Sequence, residues 1–163
     1  LYMPSLDLVK RIAAGDKRTS FVGSDFLYED ISGRSPEEDR HEIAAETEQI
    51  YKIKSLPKKP GSVEFAYTIS FVDKQTFIPM KMEFYKDSGR CARVIEVLKV
   101  EKIESKENNQ HVFYPTAVLT EARNLETGSR TTMAFSRIRY NTGMAANLFT
   151  ERYLRRPPRD VMR

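Results

Sequence analysis

Residues 63–85 read VEFAYTISFVDKQTFIPMKMEFY, two runs in which apolar and polar residues alternate. A period of two belongs to a strand with one apolar and one wet face. The segment predicts two strands joined by a turn at residues 73–76. Val63, Phe65, Tyr67, Ile69 and Phe71 are expected on one face of the first strand. Ile78, Met80, Met82 and Phe84 are expected on the matching face of the second. From the pattern alone such a face reads first as ordinary core beneath a covering layer, with the lining of an apolar ligand site as the alternative. Adjacent methionines make an adaptable lining, since Met is unbranched and polarisable.

The rest of the chain extends the same pattern. Lys86-Asp87-Ser88-Gly89 is a second hairpin signal. It is followed by a Val/Ile/Leu-rich run over 91–103, a polar loop over 104–110, a run over 112–125, a turn over 126–129 and a last run over 131–140. Upstream, 42–47 and 49–56 read as strands, and 1–12 as the end of one strand and the start of another. The tally is about eight strands joined by short turns, a mainly β antiparallel meander. Such a meander needs a second sheet, closure into a barrel, or helices laid across it. The covering candidate is turn-rich residues 13–33, where Phe21, Val22, Phe26, Leu27 and Tyr28 are interleaved with Gly, Ser and Asp. Ser24 or Asp25 is expected to cap a short helix ending near Ile31. A short helical or extended segment closes the chain at 148–154, and Pro157-Pro158 ends order.

Composition narrows the function classes. At 163 residues, 40% hydrophobic and 31% charged, the chain fits one soluble globular domain. The net charge of +4 is mixed in sign along the chain. Arg152, Arg155, Arg156 and Arg159 form the one cluster, either a solvated tail or a contact for anionic headgroups or nucleic acid. Cys91 is the single cysteine, so there is no internal disulfide. His41 and His111 sit in polar stretches, and the acid pairs Glu29-Asp30 and Glu37-Glu38 lie in or beside turns. No nucleophile elbow, zinc motif or phosphate loop is present. The expectation is therefore a protein that is not an enzyme, with no cofactor and no metal site. Convergence of His41, His111 and an acid in one pocket would revive catalysis. The chain begins at Leu1, and it is read as a fragment, or a processed form, of a longer protein whose targeting information would lie in the missing part.

Several segments, in this order, resemble the LolA-like outer-membrane lipoprotein-sorting proteins. They are LYMPSLDLVKRIA (1–13), SFVGSDFLYEDI (20–31), FVDKQTFIPMKMEFYKDSGR (71–90), YPTAVLTEARNLETGSRTTM (114–133) and IRYNTGMAANLFTERYLRR (138–156). The resemblance implies an incomplete, half-open β-barrel around a hydrophobic cavity with a short helical or loop lid. It makes residues 1–156 one such domain and 157–163 a tail. It further implies a periplasmic carrier that binds lipid or lipoprotein acyl chains and moves them toward the outer membrane. Its partners would be an inner-membrane transporter or an outer-membrane acceptor, with no nucleic acid. The alternative on the same fold is a periplasmic sensor module that detects lipid or misfolded protein. On this reading Phe65, Tyr67, Ile69, Phe71, Ile78, Met80, Met82 and Phe84 form the cavity wall. Phe21, Val22, Phe26, Leu27 and Tyr28 form the lid, and Arg152, Arg155 and Arg156 meet an acidic partner or headgroup.

Overall fold

A computed structural model describes residues 1–9, 11–13, 15–107 and 110–158. Seven strands form one antiparallel sheet in chain order: β3 (Asp39–Glu46), β4 (Ile50–Pro57), β5 (Tyr67–Asp73), β6 (Pro79–Tyr85), β7 (Cys91–Glu107), β8 (Gln110–Asn124) and β9 (Arg130–Ala134). Strands β3 and β9 are its two edges, so the sheet stays open. Strands β1 (Tyr2–Met3) and β2 (Leu8–Val9) form a separate small hairpin. The expected mainly β meander and open sheet are present.

Local chemistry explains the turns. Between β5 and β6, Asp73 Oδ1 accepts hydrogen bonds from the Gln75 and Thr76 amides and from the Thr76 hydroxyl, at 3.1, 2.8 and 2.7 Å. The Thr76 bonds, the hydroxyl's first, hold the Asp73 carboxyl below its ordinary value. After β6, the Gly89 amide donates to the Lys86 carbonyl at 2.9 Å with φ of +75°, which glycine adopts without strain. Register breaks mark β-bulges in the β3–β4, β5–β6, β6–β7 and β7–β8 pairs. Each adds local bend and twist, and together they curve the sheet.

The last three strands differ from the sequence expectation. Residues 104–107 and 110 belong to β7 and β8 rather than to a polar loop. They extend a hairpin that β6 flanks only as far as Glu96 and β9 only from Leu119. A bare two-stranded ribbon is marginal in water. Here Tyr140 packs on it, with its ring 4.6 Å from Tyr114, its hydroxyl 2.8 Å from Thr116 Oγ1 and its carbonyl accepting from Ser105 Oγ. That is also why the last strand stops at Ala134 rather than Tyr140: the chain leaves the sheet edge to cover the ribbon. At the C-terminus, α2 (Glu151–Arg155) brings Arg155 Nη1 to within 2.7 Å of Asp7 Oδ1, tying it to the β1–β2 hairpin. Arg159 lies outside the described residues. Among the described residues, no helix is long and apolar enough to cross a membrane.

Candidate functional site

Cross-strand pairing fixes which side chains share the concave face. His41, Ser55 and Thr68 follow one another across β3, β4 and β5. Thr68 faces Phe84, which faces Arg93. One row further on, Ser70, Met82, Ile95, Ala122 and Thr131 run from β5 to β9. The wall is therefore hydroxyl-lined towards β3 and mainly apolar from β6 onward, where Arg93 and Thr120 interrupt it. Ala122 is wholly buried in its centre.

Residues 19–32 roof this face. The Phe21 amide donates to the Phe26 carbonyl at 2.7 Å and the Tyr28 amide to the Thr19 carbonyl at 3.2 Å, closing a tight hairpin with its turn at Val22-Gly23. Helix α1 (Tyr28–Ser32) follows directly. Leu27, not Ser24 or Asp25, occupies its cap position, and the Leu27 amide donates to Asp30 Oδ2 at 2.7 Å. The two expected caps are used elsewhere. Ser24 Oγ donates to the Phe21 carbonyl at 2.6 Å, and the Asp25 carboxylate accepts from Thr131 Oγ1 at 2.7 Å and from Ser129 Oγ on β9's approach. Asp25 thus staples the roof to one sheet edge.

Arg93 is the second staple. Its guanidinium forks onto the Asp30 carboxylate, with Nη2 3.1 Å from Oδ1, and lies 3.9 Å above the Phe84 ring. Both side chains are close to 90% buried. A third tie lies at the opening, where Arg34 meets Glu29, Glu38 and Asp39 at 3.1, 2.6 and 2.8 Å. Its bond to Asp39 above all raises the guanidinium further above its ordinary value. His41 bridges Ser55 Oγ and the Pro36 carbonyl, each at 2.8 Å, and so positions the same rim. His111 contacts Glu104 on the β7–β8 ribbon and does not line the cavity.

Roof and sheet enclose a groove of about 800 Å³. Phe65, Met82 and Phe84 line it, as do Phe21, Phe26 and Leu27 of the roof. Ile31, Ile95, Met133 and Phe135 complete the apolar part, with Thr68, Ser70 and Ser55 at the hydroxyl end. Five of the expected wall residues stand elsewhere. Ile78 and Met80 fall outside the lining, Met80 at the bulge opposite Phe71 and Val72. Tyr67, Ile69 and Phe71 pair with Tyr85, Glu83 and Lys81 on the opposite, convex face. The assumption of one unbroken strand from Val63 is what fails. The chain bends at Ala66, whose amide donates to the Tyr85 carbonyl, and β5 starts only at Tyr67. A slip of one residue moves every following side chain to the other face. Val22 is 70% exposed at the hairpin turn, and Tyr28 packs edge-on against Phe21 at 5.3 Å without lining the groove.

The convex face stabilises its aromatics differently. Lys52 and Lys81 sit 5.4 Å from the Phe71 centroid and Lys54 5.0 Å from that of Tyr67. Their ammonium groups lie over the ring faces as cation–π partners. Tyr67 stacks on Tyr85 at 4.7 Å. The Tyr85 hydroxyl donates to Glu83 Oε2 at 2.8 Å, and this bond pushes the phenol from 10.0 up to about 12. The unfolded chain would ionise near 10.0, so this stabilisation is complete below that pH and is lost as pH rises towards about 12. Across that window the melting temperature of the wild type is expected to fall more steeply than that of Tyr85→Phe. Equal slopes in thermal melts at stepped pH would refute the assignment.

An open antiparallel half-barrel with a stapled hairpin-and-helix roof is the LolA-like class of fold. Residues 1–156 match the model of a family whose description reads "-like: Uncharacterized protein", and the chain belongs to that family. Three solved structures share its architecture. A Vibrio parahaemolyticus domain described as an outer membrane lipoprotein-sorting protein superposes with a TM-score of 0.80 at 26% identity, covering 95% of this chain. A DUF1329 family protein from Desulfovibrio piger gives 0.77 at 24% identity over 94%. A LolA superfamily protein from Nitrosomonas europaea gives 0.60 at 18% identity over 94%. This chain spans 64%, 62% and 66% of the lengths of those chains. No curated protein matches it in sequence.

Proposed function

We propose that this chain is a periplasmic carrier module that shields lipid or lipoprotein acyl chains in the groove between sheet and roof. The observation that carries the reading is the groove itself. Its volume of about 800 Å³ lies within the roughly 300–1,000 Å³ range typical of small-molecule sites. Its apolar walls come from two layers tied together by polar staples rather than by a continuous core. Burial of an acyl chain contributes about 0.8 kcal/mol per methylene and needs no reactive group. The likeness to a lipoprotein-sorting domain supports the same class and is consistent with work between the two membranes. Residues 1–156 act as one unit with 157–163 as a tail, and a transporter or an acceptor membrane would exchange the cargo.

The opposite placement of two side chains makes a sharp test. Met82 lines the groove, while Phe71 lies under Lys52 and Lys81 on the other face. Lipids are extracted from the purified wild type, Met82→Asp and Phe71→Asp and quantified by mass spectrometry. Met82→Asp is expected to lower bound acyl lipid at least about tenfold, because a carboxylate buried against hydrocarbon is unpaired. Phe71→Asp is expected to retain it. A wild type that carries no acyl lipid above background, or two variants that behave alike, defeats the proposal.

A further inference from the structure

A second cavity, of about 200 Å³, adjoins the groove, and Leu27, Glu64, Phe65, Phe84 and Arg93 line both. The Phe65–Phe84 edge-to-face pair and Arg93 stand between the two spaces. The linings differ in chemistry. Arg18, Lys86, Arg93 and Asn124 enter the small cavity, facing Glu64 and Glu126.

The state of these charges decides what the cavity can hold. Arg93 is committed to Asp30, and Glu126 to Arg90. Arg18 Nη1 donates to the Gly61 carbonyl at 2.9 Å and Lys86 Nζ to the Glu64 carbonyl at 3.1 Å. Among the described residues neither cation meets a carboxylate. Two half-buried cations therefore remain against the single carboxylate of Glu64. Asn124 spends Oδ1 on the amides of Glu126 and Thr127, which leaves its amide hydrogens for an acceptor. A cationic pocket with a neutral donor, set beside an apolar groove and sharing its Phe65, Phe84 and Arg93 wall, has the layout of an amphiphile site.

We propose that this pocket is a head-group subsite that takes the phosphate of an acyl lipid lying in the groove, with Arg18 and Lys86 as its principal ligands. The inference rests on the groove binding acyl chains. It narrows the cargo to lipids with an anionic phosphate close to the glycerol, in preference to neutral acyl compounds of the same length. Charge-assisted hydrogen bonds provide the discrimination.

The test compares the full chain's affinity for lysophosphatidylglycerol and for a monoacylglycerol of equal chain length, at fixed salt. Wild type, Arg18→Gln, Lys86→Gln and the charge-preserving Lys86→Arg are titrated, each first checked for an unchanged far-ultraviolet spectrum. The wild type is expected to prefer the phosphate lipid by roughly tenfold or more. Each Gln variant should lose most of that preference while keeping monoacylglycerol affinity, and Lys86→Arg should retain it. Equal affinity for both lipids overturns the subsite and leaves the groove standing. Binding of neither lipid overturns the groove and the subsite together. Inorganic phosphate is the third arm. Millimolar phosphate that displaces the lipid's preference without displacing monoacylglycerol supports a shared anion site. Tight saturable binding of phosphate alone, with no lipid preference, overturns the head-group assignment.

Discussion

Arg93→Ala is expected to cost about 3 kcal/mol of stability and to loosen the roof. The guanidinium and the Asp30 carboxylate are both almost out of water, and they are each other's only ion-pair partner among the described residues. Removal of the cation leaves Asp30 charged, buried and held only by the Leu27 amide. It also strips the cation from the face of Phe84. Hydrogen exchange of amides 20–32 should accelerate, while β7 and β8 hold their protection. The double variant Arg93→Met/Asp30→Leu should recover most of the lost stability, because a buried pair replaced by apolar groups leaves no stranded charge. A single variant that melts with the wild type, or a roof whose exchange does not change, would show that the pair holds nothing.

Phe84→Ala should be as damaging by another route. Phe84 is 6% exposed, edge-on to Phe65 at 5.5 Å, beneath Arg93 and opposite Thr68. Truncation removes the ring and opens the partition between the two cavities, where little can collapse inward. A loss of about 3 kcal/mol is typical for such a site. For a chain of this length that corresponds to a fall of about 6–12 °C in melting temperature. Phe84→Leu should keep more than half of the stability difference. A melting temperature within about 2 °C of the wild type would contradict the placement of this ring at the centre of the structure.

Much of the fold was legible because its signals are local. Period-two runs, the Asp73 turn and Gly89 need only neighbouring residues to be read. The roof was legible for a related reason: Phe21, Phe26 and Leu27 are apolar residues in a turn-rich stretch, and such residues must pack on something. Alternation put Phe65, Met82 and Phe84 on an apolar face, and the family resemblance made that face a cavity wall. Ile95 was hidden in a run apolar on both faces, where polarity does not mark the inside, whereas Met133 and Phe135 alternate with Thr132, Ala134 and Ser136 and carry the same period-two signal. Tyr67 and Phe71 misled because aromatics capped by lysine ammonium groups look like core in a sequence, and Ile69 is buried but on the opposite face from the groove.

By itself the sequence determined a mainly β antiparallel meander with a covering segment before it, since strand periodicity and turn chemistry act over a few residues. Tertiary structure alone decided which face became the wall. The bend at Ala66 offsets β5 by one residue, and the pairing of Thr68 with Phe84 and Ser70 with Met82 turns the hydroxyls inward and the aromatics outward. It also decided the staples. Arg93–Asp30 and Asp25–Thr131 join residues 63 and 106 positions apart, and no local pattern encodes a contact that exists only when the roof closes on the sheet.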